Sequence, residues 1–140
     1  MNINIITVGK IREKYLKCGV DEYLKRTTPY SSVKITEVAS DDKILNQIKA
    51  GSFIIVLEVT GKSLSSEEFA AQIKVIESQG INQLVFIIGG AEGLSDEIKQ
   101  KADLLLSFSD MTFPHQLMRL ILVEQIYRAF KILKNEPYHK

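Results

Sequence analysis

The sequence predicts an α/β domain with a five-stranded, largely parallel sheet and helices on both faces. Five short apolar runs, rich in β-branched residues, alternate with stretches of helical periodicity. The third run, Phe53–Val59, is almost wholly apolar before Glu58, as a strand covered on both sides must be. Cap and stop residues punctuate the helical stretches at the right spacing, and no internal repeat or linker divides the 140 residues.

The first strand is Asn2–Val8, stopped by Gly9. A helix is expected from about Ile11 to Arg26, turning Ile11, Leu16, Val20, Tyr23 and Leu24 inward and sharing Lys10, Lys14 and Lys17 on another face. Thr28-Pro29-Tyr30 breaks it, and Val33–Val38 reads as the second strand. A short helix over Asp41–Lys49 ends before Gly51, and Phe53–Val59 follows as the third strand. Ser65 and Glu68 have capping-box spacing for a helix reaching about Gln79, with Gly80 at its stop. Leu84–Ile88 is the fourth strand, Ser95-Asp96-Glu97 opens another short helix, and Leu104–Ser107 is the fifth strand.

The final helix, from about Pro114 to Lys134, has two unlike halves. The second is amphipathic, with Glu124, Gln125, Arg128 and Lys131 opposite Ile126, Phe130 and Leu133. The first is apolar on every side through Leu117, Met118, Leu120, Ile121, Leu122 and Val123. A helix apolar all round must be covered all round, which one face of a sheet cannot do. A homodimer is the expectation.

Composition excludes several classes. The opening MNINIITVGK holds too short an apolar run for a signal peptide, and no stretch approaches the roughly 18 apolar residues of a membrane span; a soluble cytoplasmic protein is expected. The single cysteine, Cys18, cannot form an internal disulfide and is expected to pack as a small residue of the first helix. No cysteine, histidine or carboxylate cluster has metal-ligand spacing, so no metal is expected. The net charge of +1 hides an uneven distribution, with basic ends at residues 1–34 and 111–140 flanking an acidic middle. Such asymmetry suits an anionic partner, although solvated helix faces give the same pattern.

In open α/β sheets, ligands collect beyond the carboxyl ends of the strands. Three of those ends carry unusual loops. Gly61-Lys62-Ser63 resembles the end of a P-loop, but the glycine needed at position 56 is Val56. Gly89, Gly90 and Gly93 miss the dinucleotide fingerprint, whose first glycine would fall at Ile88. What Gly89-Gly90-x-x-Gly93 offers is main chain free of side chains, fit either for close approach to a flat ligand or for a tight turn. His115 falls in the first turn of the last helix, and His139 in a terminal Tyr138-His139-Lys140 that would ordinarily fray.

Together these segments resemble the SPOUT methyltransferases known as RlmH, which methylate N3 of a pseudouridine in 23S rRNA. The likeness spans essentially the whole chain: Ile5-Ile6-Thr7-Val8-Gly9-Lys10, Leu57-Glu58 through Gly61-Lys62, and Phe86 through Leu94. It is longest over Leu106 through Gln116, Arg119, Glu124-Gln125-Ile126-Tyr127-Arg128-Ala129 and Asn135-Glu136-Pro137-Tyr138-His139.

The resemblance implies a SPOUT (α/β knot) fold with a C-terminal trefoil knot, S-adenosylmethionine as cofactor, a homodimer, and a nucleotide of rRNA helix 69 on the ribosome as substrate. Knotted chain and a second subunit would then cover the start of the last helix. It places the cofactor against Leu57, Gly89, Phe108, Ser109, Asp110, Met111, Thr112 and Phe113. It makes Tyr138 and His139 the candidate catalytic residues, and Arg119 and Arg128 candidates for phosphate or base-carbonyl contacts. One departure is that Ala39–Gly51 is shorter than in typical members. A SPOUT enzyme acting on another RNA such as tRNA, and a non-enzymatic flavodoxin-like binding domain, are the rival readings.

Overall fold

In the computed structural model, which describes residues 1–140, five strands form one wholly parallel sheet in the order β2-β1-β4-β3-β5. The strands are β1 (Asn2–Val8), β2 (Ser32–Val38), β3 (Phe53–Ser63), β4 (Gln83–Ile88) and β5 (Leu104–Ser107). The helices are α1 (Lys14–Thr27), α2 (Ser66–Ser78), α3 (Asp96–Lys101) and α4 (His115–Leu133).

Period-two alternation sends alternate strand residues to opposite faces, and both faces are covered. On one face Ile3, Ile5, Leu84, Phe86 and Leu106 pack against α1, α2 and α4. On the other a smaller cluster of Ile6, Val56, Val85 and Ile87 is closed by Ile44 and by Ile98 of α3. The central strand β4 is therefore buried along nearly its whole length, which explains its uninterrupted apolar sequence. The expected capping box of α2 is present, Ser65 accepting from the Glu68 N–H while Glu68 accepts from the Ser65 N–H.

Three expectations are corrected. The first helix begins at Lys14, not Ile11, because the N–H groups of Ile11 and Arg12 are taken by the side chains of Glu37 and Gln116. Asp41–Lys49 is not a helix but two 3-10 turns, Asp41–Lys43 and Leu45–Gln47. The buried Ile44, between the two turns, anchors the segment in this form. Cys18 does not pack inward; it lies exposed on α1.

β3 also runs beyond its expected end. Leu57 pairs with Leu106, the chain arches away, and Lys62 pairs with Leu106 again. Gly61 crosses β5 at the arch so closely that a Cβ would stand 2.6 Å from the Leu105 carbonyl carbon. Backbone cannot yield there, so only glycine fits.

α4 is tied to the far side of the sheet by a buried charge. Arg119, 1% exposed, donates to Glu37 at the end of β2 (2.5 Å) and to the Gly9 carbonyl beyond β1 (3.2 Å). Partial burial pushes the Glu37 carboxyl up, but the Ile11 N–H and the Arg119 guanidinium outweigh it and hold the carboxyl below its ordinary value of 4.5. A depressed carboxyl contributes stability above its unfolded value and loses it as pH falls through the native one. Arg119→Met should cost about 2 kcal/mol in urea unfolding at pH 7, moderated by the partial exposure of Glu37. The acid-induced loss of stability below about pH 4.5 should also be smaller in this variant than in the wild type.

Candidate active site

The carboxyl ends of β3, β4 and β5 enclose a cleft of about 230 Å³. Its floor is apolar, formed by Leu57, Ile88 and Leu106 at the strand ends. Its walls are the glycine loop after β4 and the run after β5, with Phe108, Met111 and Phe113 from that run and Met118 from α4. Gly93 takes a positive φ of 77° and donates to the Gly90 carbonyl at 3.0 Å, so the loop is a tight turn with bare backbone toward the cleft. A Cβ on Gly89 would meet Leu94 at 2.8 Å and the Gly93 backbone at 3.1 Å. That glycine is thus required first by the packing of its own loop.

The structure places the expected residues unevenly. Leu57, Gly89, Phe108, Ser109, Met111, Thr112 and Phe113 line the cleft, whereas Asp110 is exposed beside it. Ser109 organises the run, its carbonyl accepting from Ser107 and its hydroxyl from the Met111 N–H, each at 3.0 Å. Met111 is 73% exposed at the rim, an apolar side chain of the kind a ligand would cover. Val59, Leu94, His115 and Met118 also line the cleft and were not among the expected cofactor residues. Arg119 is not on this surface, being committed to Glu37 and Gly9.

The terminal residues do not fray. Tyr138 donates to Glu124 at 2.8 Å, sets its ring edge-on to Tyr127, and lies beneath the Arg128 guanidinium at 4.9 Å. Burial, together with its bonds to Tyr23 and Glu124, pushes the Tyr138 hydroxyl well up. Arg128 is held by Glu124 at 2.6 Å and contacts His139 Nδ1 at 3.0 Å, while His139 Nε2 meets Glu67 of α2. Arginine can only donate, so Nδ1 must be the acceptor and the ring proton sits on Nε2, toward the carboxylate. The ring is thereby held in one orientation, with Nδ1 toward Arg128 and Nε2 toward Glu67. Its bond holds the Glu67 carboxyl below the ordinary range.

Within one chain the tail and the cleft are separate. Met118 lines the cleft and Arg128 holds the tail, roughly 15 Å further along α4 at 1.5 Å per residue. Glu67 and Glu124, which fix the tail, gave no sign in the sequence, since Glu67 meets His139 across 72 positions.

A parallel sheet, a bare glycine turn and an apolar floor define an α/β domain with a cleft beyond its strand ends, the place where such sheets collect flat organic ligands. A family model described as "Predicted SPOUT methyltransferase" matches residues 1–139. The ribosomal RNA large subunit methyltransferase H of Clostridioides difficile (strain 630) is 51% identical with both chains covered in full. The protein of that name from Carboxydothermus hydrogenoformans is 50% identical over the same extent. Both alignments span 159 positions, of which this chain fills 140, so the relatives carry residues that it lacks. A probable methylase family protein from Haemophilus influenzae Rd KW20 shares the fold at a TM-score of 0.60 and 12% identity, over 99% of this chain and 70% of that one. The chain belongs to the SPOUT methyltransferase family.

The tail network yields a direct test. Replacing Glu67 with alanine should release the Nε2 proton. The ¹H and ¹⁵N resonances of the His139 Nε2–H group should then shift as it loses its carboxylate partner, while Arg128 keeps Nδ1 as the acceptor and the melting temperature stays unchanged. Unaltered resonances would mean that Glu67 does not hold the ring.

Proposed function

We propose that this SPOUT methyltransferase uses S-adenosylmethionine to methylate N3 of a pseudouridine in helix 69 of large-subunit rRNA, acting as a homodimer in the cytoplasm. The full-length relatedness to large-subunit rRNA methyltransferases supports the substrate class. The observation that carries the cofactor is the cleft, whose bare Gly89–Gly93 backbone and apolar Leu57, Phe108 and Met111 suit an adenine. When bound, the cofactor supplies a methyl group on a sulfonium. The protein's task is to align the acceptor base with it and to favour loss of the N3 proton.

In this reading the tail serves the substrate. Tyr138 offers a ring for stacking, Arg128 a guanidinium for a base carbonyl or phosphate, and His139 an imidazole whose Nδ1 is open to the N3 proton once Arg128 turns to the RNA. Because tail and cleft are separate in one chain, a second subunit is the means of joining them. Leu117 and Ile121, half-buried and outside both core clusters, are the part of α4 left for that subunit to cover. The close crossing of the Glu58–Lys62 arch over Leu105 and Leu106 supports a knot in this reading.

Deleting residues 138–140 should lower methyl transfer to unmethylated ribosomes by about 10²-fold or more. Cofactor affinity by calorimetry should stay as it is in the intact chain, and the melting temperature should fall by only about 4 °C, for loss of the Tyr138 contacts to Tyr127 and Glu124. Full activity without the tail would remove it from the mechanism. Separately, the wild type should sediment as a dimer at micromolar concentration and Ile121→Lys as a monomer; a monomeric wild type would leave the tail no cleft to reach.

A further inference from the structure

We infer that Lys10, Arg12, Lys14 and Tyr15 form a rigid RNA-docking platform beside the cleft, gripping unpaired nucleotides that flank the methylated one. The inference rests on the rRNA-methyltransferase reading and extends it to a surface that the cofactor and tail do not use.

The charges are free. Lys17 and Arg26 of α1 are paired with Asp21 and Glu22 one turn away. Lys10, Arg12 and Lys14 are exposed, and none is in an ion pair within 4 Å; Glu13 lies among them, and the Glu37 carboxylate that faces Lys10 is already committed to Arg119 and the Ile11 N–H. The ring beside them is free as well. Of the five tyrosines, Tyr23, Tyr30, Tyr127 and Tyr138 each have a ring partner. Tyr15 stands 70% exposed with neither a ring nor a hydroxyl partner.

The backbone beneath them is fixed in place. Gly9 turns the chain with a φ of 88°, and four hydrogen bonds from side chains pin the segment that follows. Arg119 holds the Gly9 carbonyl at 3.2 Å and Glu37 holds the Ile11 N–H at 2.9 Å. The Gln116 amide accepts from the Arg12 N–H at 2.8 Å and donates to the Lys10 carbonyl at 3.2 Å. An exposed loop held this way loses little entropy when its side chains bind. Gln116 neighbours His115, which lines the cleft, so the platform borders the site of methyl transfer.

Three exposed cations in the five residues before one bare ring match a chain of phosphates with a splayed base. Phosphates take the charges, and an unpaired base takes the tyrosine face. A duplex keeps its bases stacked and would leave the ring unused, so the occupant is a loop or single strand.

The test uses the full chain and unmethylated ribosomes, with binding measured by sedimentation across a salt series. Tyr15→Ala should weaken binding about 5- to 150-fold, and Tyr15→Trp should restore it. The triple change Lys10→Gln, Arg12→Gln, Lys14→Gln should flatten the slope of log K against log salt by about 2, near 0.7 per phosphate contact. Cofactor affinity should hold in all variants. Unchanged ribosome affinity in Tyr15→Ala, or an unchanged salt slope in the triple variant, would overturn the inference. So would conversion of dimers to monomers by Tyr15→Ala, which would assign the ring to a second copy of this chain. A wild type that shows the expected ring and salt dependence but transfers no methyl would sink the enzymatic reading and leave the platform standing.

Discussion

The buried Arg119 fastens together the parts on which the site depends. Its guanidinium joins the first turns of α4 to the ends of β1 and β2, through Gly9 and Glu37. The same first turns carry His115 and Met118 into the cleft. Gln116, three residues before Arg119, fixes the backbone at Lys10 and Arg12. A guanidinium buried to this degree is tolerated only when paired and hydrogen-bonded, so the geometry around it is strongly specified. The cleft wall and the basic segment therefore move as one body.

The rest of the site is made of backbone where side chains would obstruct. Gly93 supplies the positive φ of the turn after β4, Gly89 leaves room for Leu94, and Gly61 lets the β3 arch cross Leu105. These glycines keep three chain segments within contact of one another at the strand ends. Only there can a cleft with an apolar floor and bare main-chain groups form without burying unpaired polar atoms.

Period-two and period-3.6 patterns made every strand and all four helices legible in the sequence, because burial on one or both faces writes them there directly. Ends were less legible where a distant side chain decides them, as Glu37 does for Ile11 and Gln116 for Arg12. The loop positions that line the cleft, Asp110 apart, were legible through the family likeness. The tail network was not, because Glu67 and Glu124 are ordinary surface types, and Tyr23 reads only as an inward residue of the first helix, until the fold brings them to Tyr138 and His139. Arg119 carried a signal that could have been read differently. A lone arginine between Leu117-Met118 and Leu120-Ile121-Leu122-Val123 is more naturally a buried, paired charge than a surface ligand.

The uneven charge of the sequence also finds its meaning in three dimensions. Behind the glycine loop lies a second, wider hollow of about 830 Å³, bordered by Asp41, Asp42, Glu92 and Glu97. It shares Gly90, Ala91 and Gly93 with the first cleft, so one thin loop separates an acidic hollow from a cleft with an apolar floor. A polyanion is repelled from the acidic hollow. With a net charge of only +1, the molecule has little overall pull on RNA. Its charges act instead through their uneven distribution, which disfavours approach of RNA from the acidic side of the loop.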